Sequence, residues 1–324
     1  MEDFIIREVT DNDFEALVDL YCSVWPEGKN IHRQKATFVL KESDGVCYCA
    51  EKEGKIVGGR SSFYMPFYYG DRKIKCVQFA DSCIHESCRR QGLFLKMNTA
   101  FLHGFFDENG GELVYNISVD NSRKAYEKLG WVYIQSLTSF VKYVRPIHMF
   151  IKARFNPNNM KGAIEYDLTN RLHTIDEELF SVREKLMVEN NVLYVKYTKE
   201  TFEWRLKSGN GIKILNVPQI GAVVYKVGYK PSGIKALAIG EVFLYNYDNT
   251  SFNRLEKELK KRENPDMIIA KFSLSHPLYQ LLQHAHYKGG SFDNHGVKVM
   301  SDEMREICLN PTNWAISFFD IDTF

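Results

Sequence analysis

The residues best placed for chemistry in this chain of 324 fall in the stretch Phe79–Phe94. A strand-like run ends at Ile84-His85. Glu86-Ser87-Cys88-Arg89-Arg90-Gln91-Gly92 follows, and a helical pattern opens at Leu93. The first amides of a helix lack partners inside it, and together with the helix dipole they make an anion site. Gly92 lets main chain approach a ligand closely, and Arg89 and Arg90 add positive charge. A pyrophosphate is the natural guest. Titratable groups surround the loop: Asp81 near the strand end, His85, whose imidazole titrates in the range useful for proton transfer, and Glu86. Further along stand Asn121, Tyr126 and, in the last apolar stretch, Asp320 and Asp322.

These residues need elements to hold them. Thr10 with Asp13 signals a helix start, and Phe14, Leu17, Val18 and Tyr21 continue at helical spacing. Val46–Ala50 and Ile56–Gly59 flank Glu53-Gly54 and read as a hairpin. Strand patterns continue at Phe63–Tyr69 and Ile74–Ile84. The periodicity then predicts a helix over 92–108, a strand over 113–119, a short helix over 122–129 and a strand over 131–143. This order describes a mixed α/β layer structure in the first half. Arg145-Pro146 and Asn156-Pro157-Asn158-Asn159 punctuate the chain, so the domains are expected at about 1–148 and 160–324.

The loop and the later segment together resemble the GNAT N-acetyltransferase superfamily. Arg89-Arg90-Gln91-Gly92-Leu93-Phe94 resembles its acyl-CoA loop. Asn121, Tyr126 and Leu129-Gly130-Trp131 resemble its later signature. Phe94 departs from the pattern, standing where the family usually has Gly or Ala. The resemblance covers roughly residues 4–145 and implies a GNAT fold with acetyl-CoA or another short acyl-CoA as acyl donor. It implies that the loop amides from Arg89 to Phe94 hold the CoA pyrophosphate and that the strand end, Asp81 to Ile84, lines pantetheine. It also implies that Asn121 bonds the pantetheine arm and that Tyr126 protonates the leaving thiolate. An amine then attacks the thioester directly, with main-chain amides near Cys83 or Ile84 stabilising the oxyanion. An amine with a pKa of about 10 profits from a base. Asp81, His85, Glu86, a C-terminal aspartate (Asp320 or Asp322) and a water chain are the candidates.

The second half carries helix patterns at 174–187, 198–206, 252–262 and 278–285, and strand patterns at 222–227, 236–244, 267–272 and 314–319. This order echoes the first half without a residue-level repeat. No Gly-rich phosphate turn appears between Leu244 and Phe272. The half therefore reads as a degenerate GNAT-like domain supplying acceptor-binding walls. Trp204-Arg205 reads as a packing anchor with a salt bridge. The layout is similar to two-domain GNAT enzymes that N-acylate nucleotide-linked amino sugars for polysaccharide biosynthesis, which implies such an acceptor. A small-amine or drug N-acetyltransferase and a silent acyl-CoA-binding protein are the alternatives.

Composition narrows the classes. Lys and Arg number 42 against 41 Asp and Glu, so no basic excess points to nucleic acid. No apolar run of about 18 residues predicts a membrane span, and the opening residues lack the basic-then-apolar pattern of a secretory signal. Seven scattered cysteines read as reduced thiols and a cytoplasmic location. Cys83 and Cys88 flank His85 without a second ligand pair, so no metal site is expected. Edge strands of such sheets can pair, leaving a homodimer open.

Overall fold

The computed structural model describes residues 4–25, 28–42, 45–155, 162–322 and 324. The opening residues 1–3 and the 156–159 punctuation invoked above lie outside the described residues. The first half runs β1 (Ile5–Glu8), α1 (Phe14–Val24), α2 (Lys29–Thr37), β2 (Cys47–Lys52), β3 (Lys55–Tyr69), β4 (Arg72–Ile84), α3 (Leu93–His103), β5 (Leu113–Ile117), α4 (Asp120–Lys128), β6 (Val132–Ile134), β7 (Leu137–Tyr143) and α5 (Pro146–Phe155). The second half runs β8 (Glu165–Tyr166), α6 (Glu177–Glu189), β9 (Leu193–Val195), α7 (Lys199–Leu206), β10 (Lys213–Val217), β11 (Gly221–Tyr229) and β12 (Lys235–Leu244). It continues with α8 (Asn249–Glu263), β13 (Met267–Ser273), α9 (Leu278–His284), β14 (Lys288–Phe292), β15 (His295–Val299) and α10 (Asp302–Leu309).

Two mixed sheets result. One has the order β1-β2-β3-β4-β5-β15-β6, with β9 added beside β3. The other has the order β10-β11-β12-β13-β7-β14, with β8 beside β11. The stretch expected as one strand over 131–143 divides: β6 stays in the first sheet, and β7 crosses to pair with β13 and β14. In return β15 enters the first sheet between β5 and β6. The first half thus lends the second sheet β7, the second half lends the first sheet β15 and the short β9, and the boundary near residue 148 divides the chain without dividing the sheets. Such pairing is set by tertiary contacts between distant segments, which local patterning does not carry.

The local signals act as the sequence suggests. Asp13 accepts from the Thr10 amide and hydroxyl and binds Arg7, fixing the entry to α1. Leu17, Val18 and Tyr21 then bury against the sheet. Glu53 and Gly54 both take positive φ, which turns β2 tightly into β3. The expected strand over 314–319 is instead a run of isolated bridges ending in a helical turn at Phe318–Asp320. Ser317 is the reason: its amide and hydroxyl both bond the Asp320 carboxylate and close a capping box.

Candidate active site

The site is built where β4 and β5 separate. The two strands run parallel and pair only at Cys76–Leu113, Val77–Val114 and Gln78–Tyr115. Beyond that point β5 keeps only its pairing with β15, and β4 only its pairing with β3. Opposite Ser61, β4 holds two residues, Ala80 and Asp81, between its pairs Phe79–Ser62 and Ser82–Arg60. This bulge re-aims the strand end and opens a wedge-shaped gap. Cys83 and Ile84 remain paired to Gly59 and Gly58 on one side and have no strand on the other.

The gap leads into the loop singled out above. Arg90 and Gly92 both adopt positive φ, and Gly92 is the N-cap of α3 with no side-chain cap. A Cβ at Gly92 would meet nothing within 4 Å. The approach to the first amides of α3 is therefore open, with Arg89, Arg90 and Gln91 exposed around it. That arrangement fits a pyrophosphate. Phe94 leaves the loop clear: its ring turns inward and meets Tyr126 edge-on at 5.1 Å. Leu93 is buried in the core. Asn121 lies exposed in the first turn of α4.

Tyr126 reaches the gap from α4 and is buried. Its hydroxyl accepts a short hydrogen bond from Arg60, a residue that sequence reasoning passed over. Arg60 is fully buried. It also donates to Ala80 O at the bulge (2.7 Å) and to Asn98 Oδ1 (2.9 Å), and lies 3.9 Å over the Phe79 ring. Its described hydrogen-bond partners are all neutral, and burial lowers its pKa to about 9. A signal was present: an arginine within a stretch, Ile56 to Tyr69, that otherwise holds small, apolar and aromatic residues.

On the opposite side of the bulge is a slot of about 40 Å³ lined by Lys35, Phe38, Phe63, Ala80, Asp81, Arg205 and Asp322, among others. The segment from Trp314 onward is threaded into place here. Gln78 and Tyr115, the last pair before β4 and β5 part, both donate to Asp320 O (3.1 and 2.9 Å). Arg205 donates to Phe319 O and Ile321 O (2.9 and 2.6 Å), and Lys226 to Phe324 O (2.5 Å). Arg205 therefore anchors main chain, in place of the salt bridge expected of it.

This threading separates the two aspartates. Asp320 is spent in the core on Ser317 and Tyr197, 3.9 Å from Arg183. Asp322 reaches the slot, where its Oδ1 is buried with no hydrogen-bond partner among the described residues. Burial raises its carboxyl to about 7; Asp81 adds to the rise, while Lys35, Arg205 and Arg60 oppose it. Asp81 itself lies 3.8 Å from the Lys35 ammonium. His85 does not face the slot; it is exposed, and its Nδ1 pairs with the Ser87 hydroxyl (2.8 Å) to cap the turn at Glu86–Cys88. Glu86 is exposed on that turn. The structure thus lays Cys83 and Ile84 along the free side of β4 with the Arg89–Phe94 loop beyond them, links Tyr126 to the bulge through Arg60, sets Asp81 with Asp322 at the slot, and leaves Asp320 and His85 aside.

Residues 5–134 match the acetyltransferase (GNAT) domain family. The whole chain is similar in structure to a GCN5-related N-acetyltransferase from Anabaena variabilis, with TM-score 0.63 and 12% identity over 92% of this chain and 73% of that one. It is also similar to Eis1 from Mycobacterium abscessus (TM-score 0.52, 13% identity, 92% and 73% coverage). N-myristoyltransferase of Saccharomyces cerevisiae, solved with bound myristoyl-CoA, is a further neighbour (TM-score 0.54, 12% identity, 92% and 79% coverage). No curated protein matches the sequence. The architecture is that of the GNAT fold, with two sheets consistent with two GNAT-like domains. Among the described residues, no helix is long and apolar enough to cross a membrane.

Proposed function

We propose that the protein is an acyl-CoA-dependent N-acyltransferase acting on a primary amine. One observation carries the reading: β4 parts from β5 at a bulge directly ahead of an uncapped, arginine-bearing helix start. The GNAT domain match over the same residues supports it. In this reading the amides from Gln91 to Phe94, with Arg89 and Arg90, hold the pyrophosphate. The unpaired side of β4 at Cys83 and Ile84 lines the pantetheine, and Asn121 bonds its arm from α4. Acyl-CoA, when bound, supplies an activated thioester and a thiolate leaving group. Tyr126 accepts its hydrogen bond from Arg60, so its own proton stays available for the departing sulfur. The neighbouring guanidinium makes a phenolate less costly once that proton has gone.

The slot chemistry bears on the choice of acceptor. A nucleotide-linked amino sugar needs cations free to hold its pyrophosphate. The two cations of the slot are engaged, Arg205 on main-chain oxygens and Lys35 beside Asp81. Asp322, whose Oδ1 has no hydrogen-bond partner among the described residues, can instead receive the head of a small amine. We therefore place a small primary amine first and keep the nucleotide-linked amino sugar as the comparison arm of an acceptor screen.

Calorimetric titration with CoA and acetyl-CoA tests the root of the reading. Wild type is expected to bind in the micromolar range, about −8 kcal/mol. The double variant Arg89→Ala/Arg90→Ala is expected to lose at least about a hundredfold in affinity, as charge-assisted contacts are removed. A wild type that binds neither compound would overturn it.

A further inference from the structure

We infer that Asp322 is the general base of this site, and that Asp322 and Asp81 together receive the acceptor as a protonated primary amine. The inference rests on the acyltransferase reading above and adds the residue that takes the proton.

The position is built rather than incidental. Gln78 and Tyr115 mark the point where β4 and β5 part, and both grip Asp320 O. Arg205 holds the carbonyls on either side, at Phe319 and Ile321. With the preceding main chain clamped at three successive carbonyls, the Asp322 side chain is delivered to the slot beside the Ala80–Asp81 bulge. Its Oδ1 is buried and unpartnered. A desolvated carboxylate oxygen without a donor is costly, and a bound ammonium would supply that donor.

The slot also matches the guest in size. A space of about 40 Å³ takes one small polar group such as a water or an ammonium head. Lys35 places its own ammonium 3.8 Å from Asp81 at this slot, so a primary ammonium is compatible with the lining. Asp81 on β4, Lys35 on α2 and Arg205 on α7 line the slot with Asp322, and the charge of Arg60 on β3 acts on it from further off. Their opposing charges keep the carboxylate able to exchange a proton near neutrality, the range in which a general base works best.

The proton balance closes. One proton of the ammonium passes to Asp322 and from there to solvent. The freed nitrogen lone pair forms the N–C bond as the thioester C–S bond breaks. Tyr126 gives its proton to the departing sulfur and is reprotonated by the second nitrogen proton, leaving an amide and a thiol.

The test compares wild type, Asp322→Asn and Asp322→Glu. Three readouts are taken together: CoA affinity by calorimetry, acylation of phenethylamine and spermidine by acetyl-CoA followed as thiol release from pH 5.5 to 9, and aspartate carboxyl titration by ¹³C NMR. In wild type the rate rises through about pH 7, and one aspartate resonance titrates there. In Asp322→Asn that resonance is gone, the rate falls about 10²–10⁴-fold, and CoA affinity is unchanged. Asp322→Glu recovers part of the rate. The base assignment is overturned if Asp322→Asn keeps the wild-type rate and acid limb, or if every aspartate titrates below about pH 5. If neither amine is acylated, the NMR arm decides. A shift of the Asp322 resonance on adding phenethylamine or spermidine supports the site, and no shift overturns it. Failure of wild type to bind CoA removes the acyltransferase reading itself, and shows separately in the calorimetry.

Discussion

In β4 the bulge falls at Ala80–Asp81 and the parallel neighbour leaves after Gln78. In β12 the extra residue is Gly240, and β13 leaves after Ile239 pairs with Ala270. The two halves therefore open the same kind of gap ahead of the same kind of helix. The first gap keeps its helix start free, with glycine at the cap and arginines beside it. The second closes its own: Asp248 caps α8 by accepting from the Ser251 amide at 2.7 Å, so a carboxylate sits where an anion would bind. The second gap is also filled. A Cβ at Gly240 would strike the Phe324 ring at 2.5 Å, and Glu241 is buried between Arg183 (3.1 Å) and His276 (3.3 Å). One fold can carry a ligand gap or a packed core at equivalent places, and the difference lies in a cap residue and a few buried charges.

The acids of the two gaps give the largest test of this contrast. Burial pushes Asp322 up to about 7 from its ordinary 3.8. Its folded form thus binds a proton that the unfolded chain releases, and stability falls as pH rises from about 4 to 7. The cost is about 2 to 4 kcal/mol, allowing for partial exposure to the slot. Asp322→Asn should therefore be more stable than wild type at pH 8 in urea titrations, and no more stable at pH 4. Burial alone would raise Glu241 as well, yet His276 and Arg183 hold it below its ordinary value. Glu241→Gln should destabilise at pH 8 by about 3 kcal/mol or more. Equal signs for the two substitutions would break the comparison.

Smaller effects sharpen it. Tyr126→Phe should lower acylation about ten- to a hundredfold with CoA affinity unchanged, by stopped-flow and calorimetry. Asp248→Ala should cost about 1 kcal/mol of stability and leave CoA affinity untouched. A loss of CoA binding in that variant would mean that the second gap is not closed.

Much of the first half was legible because its signals are local: the Thr10–Asp13 cap, the Glu53-Gly54 turn, and the strand–loop–helix run ending at Gly92. The strands β7 and β15 were not, since their partners lie in the opposite half of the chain. The aspartates failed for a definite reason. Read as a strand, residues 320 and 322 share a face. The Ser317–Asp320 box winds that segment into a helical turn instead, so one carboxylate bonds back into the core and the other goes forward to the slot. Arg60 was hidden because its partners, at Ala80, Asn98 and Tyr126, come from three different elements.

The reciprocal lending of β7 and β15 also bears on synthesis. As the chain leaves the ribosome, β5 and β6 emerge long before the strand that will join them, and β7 emerges before either of its partners. The first half must wait with open hydrogen-bonding edges, the condition that invites association between nascent chains. Pairings of such sequence separation also slow the search for the native topology. A fragment ending near residue 155 should accordingly be found in inclusion bodies or bound to chaperones. Co-expression of the two pieces should recover soluble protein, because each supplies strand pairing that the other lacks.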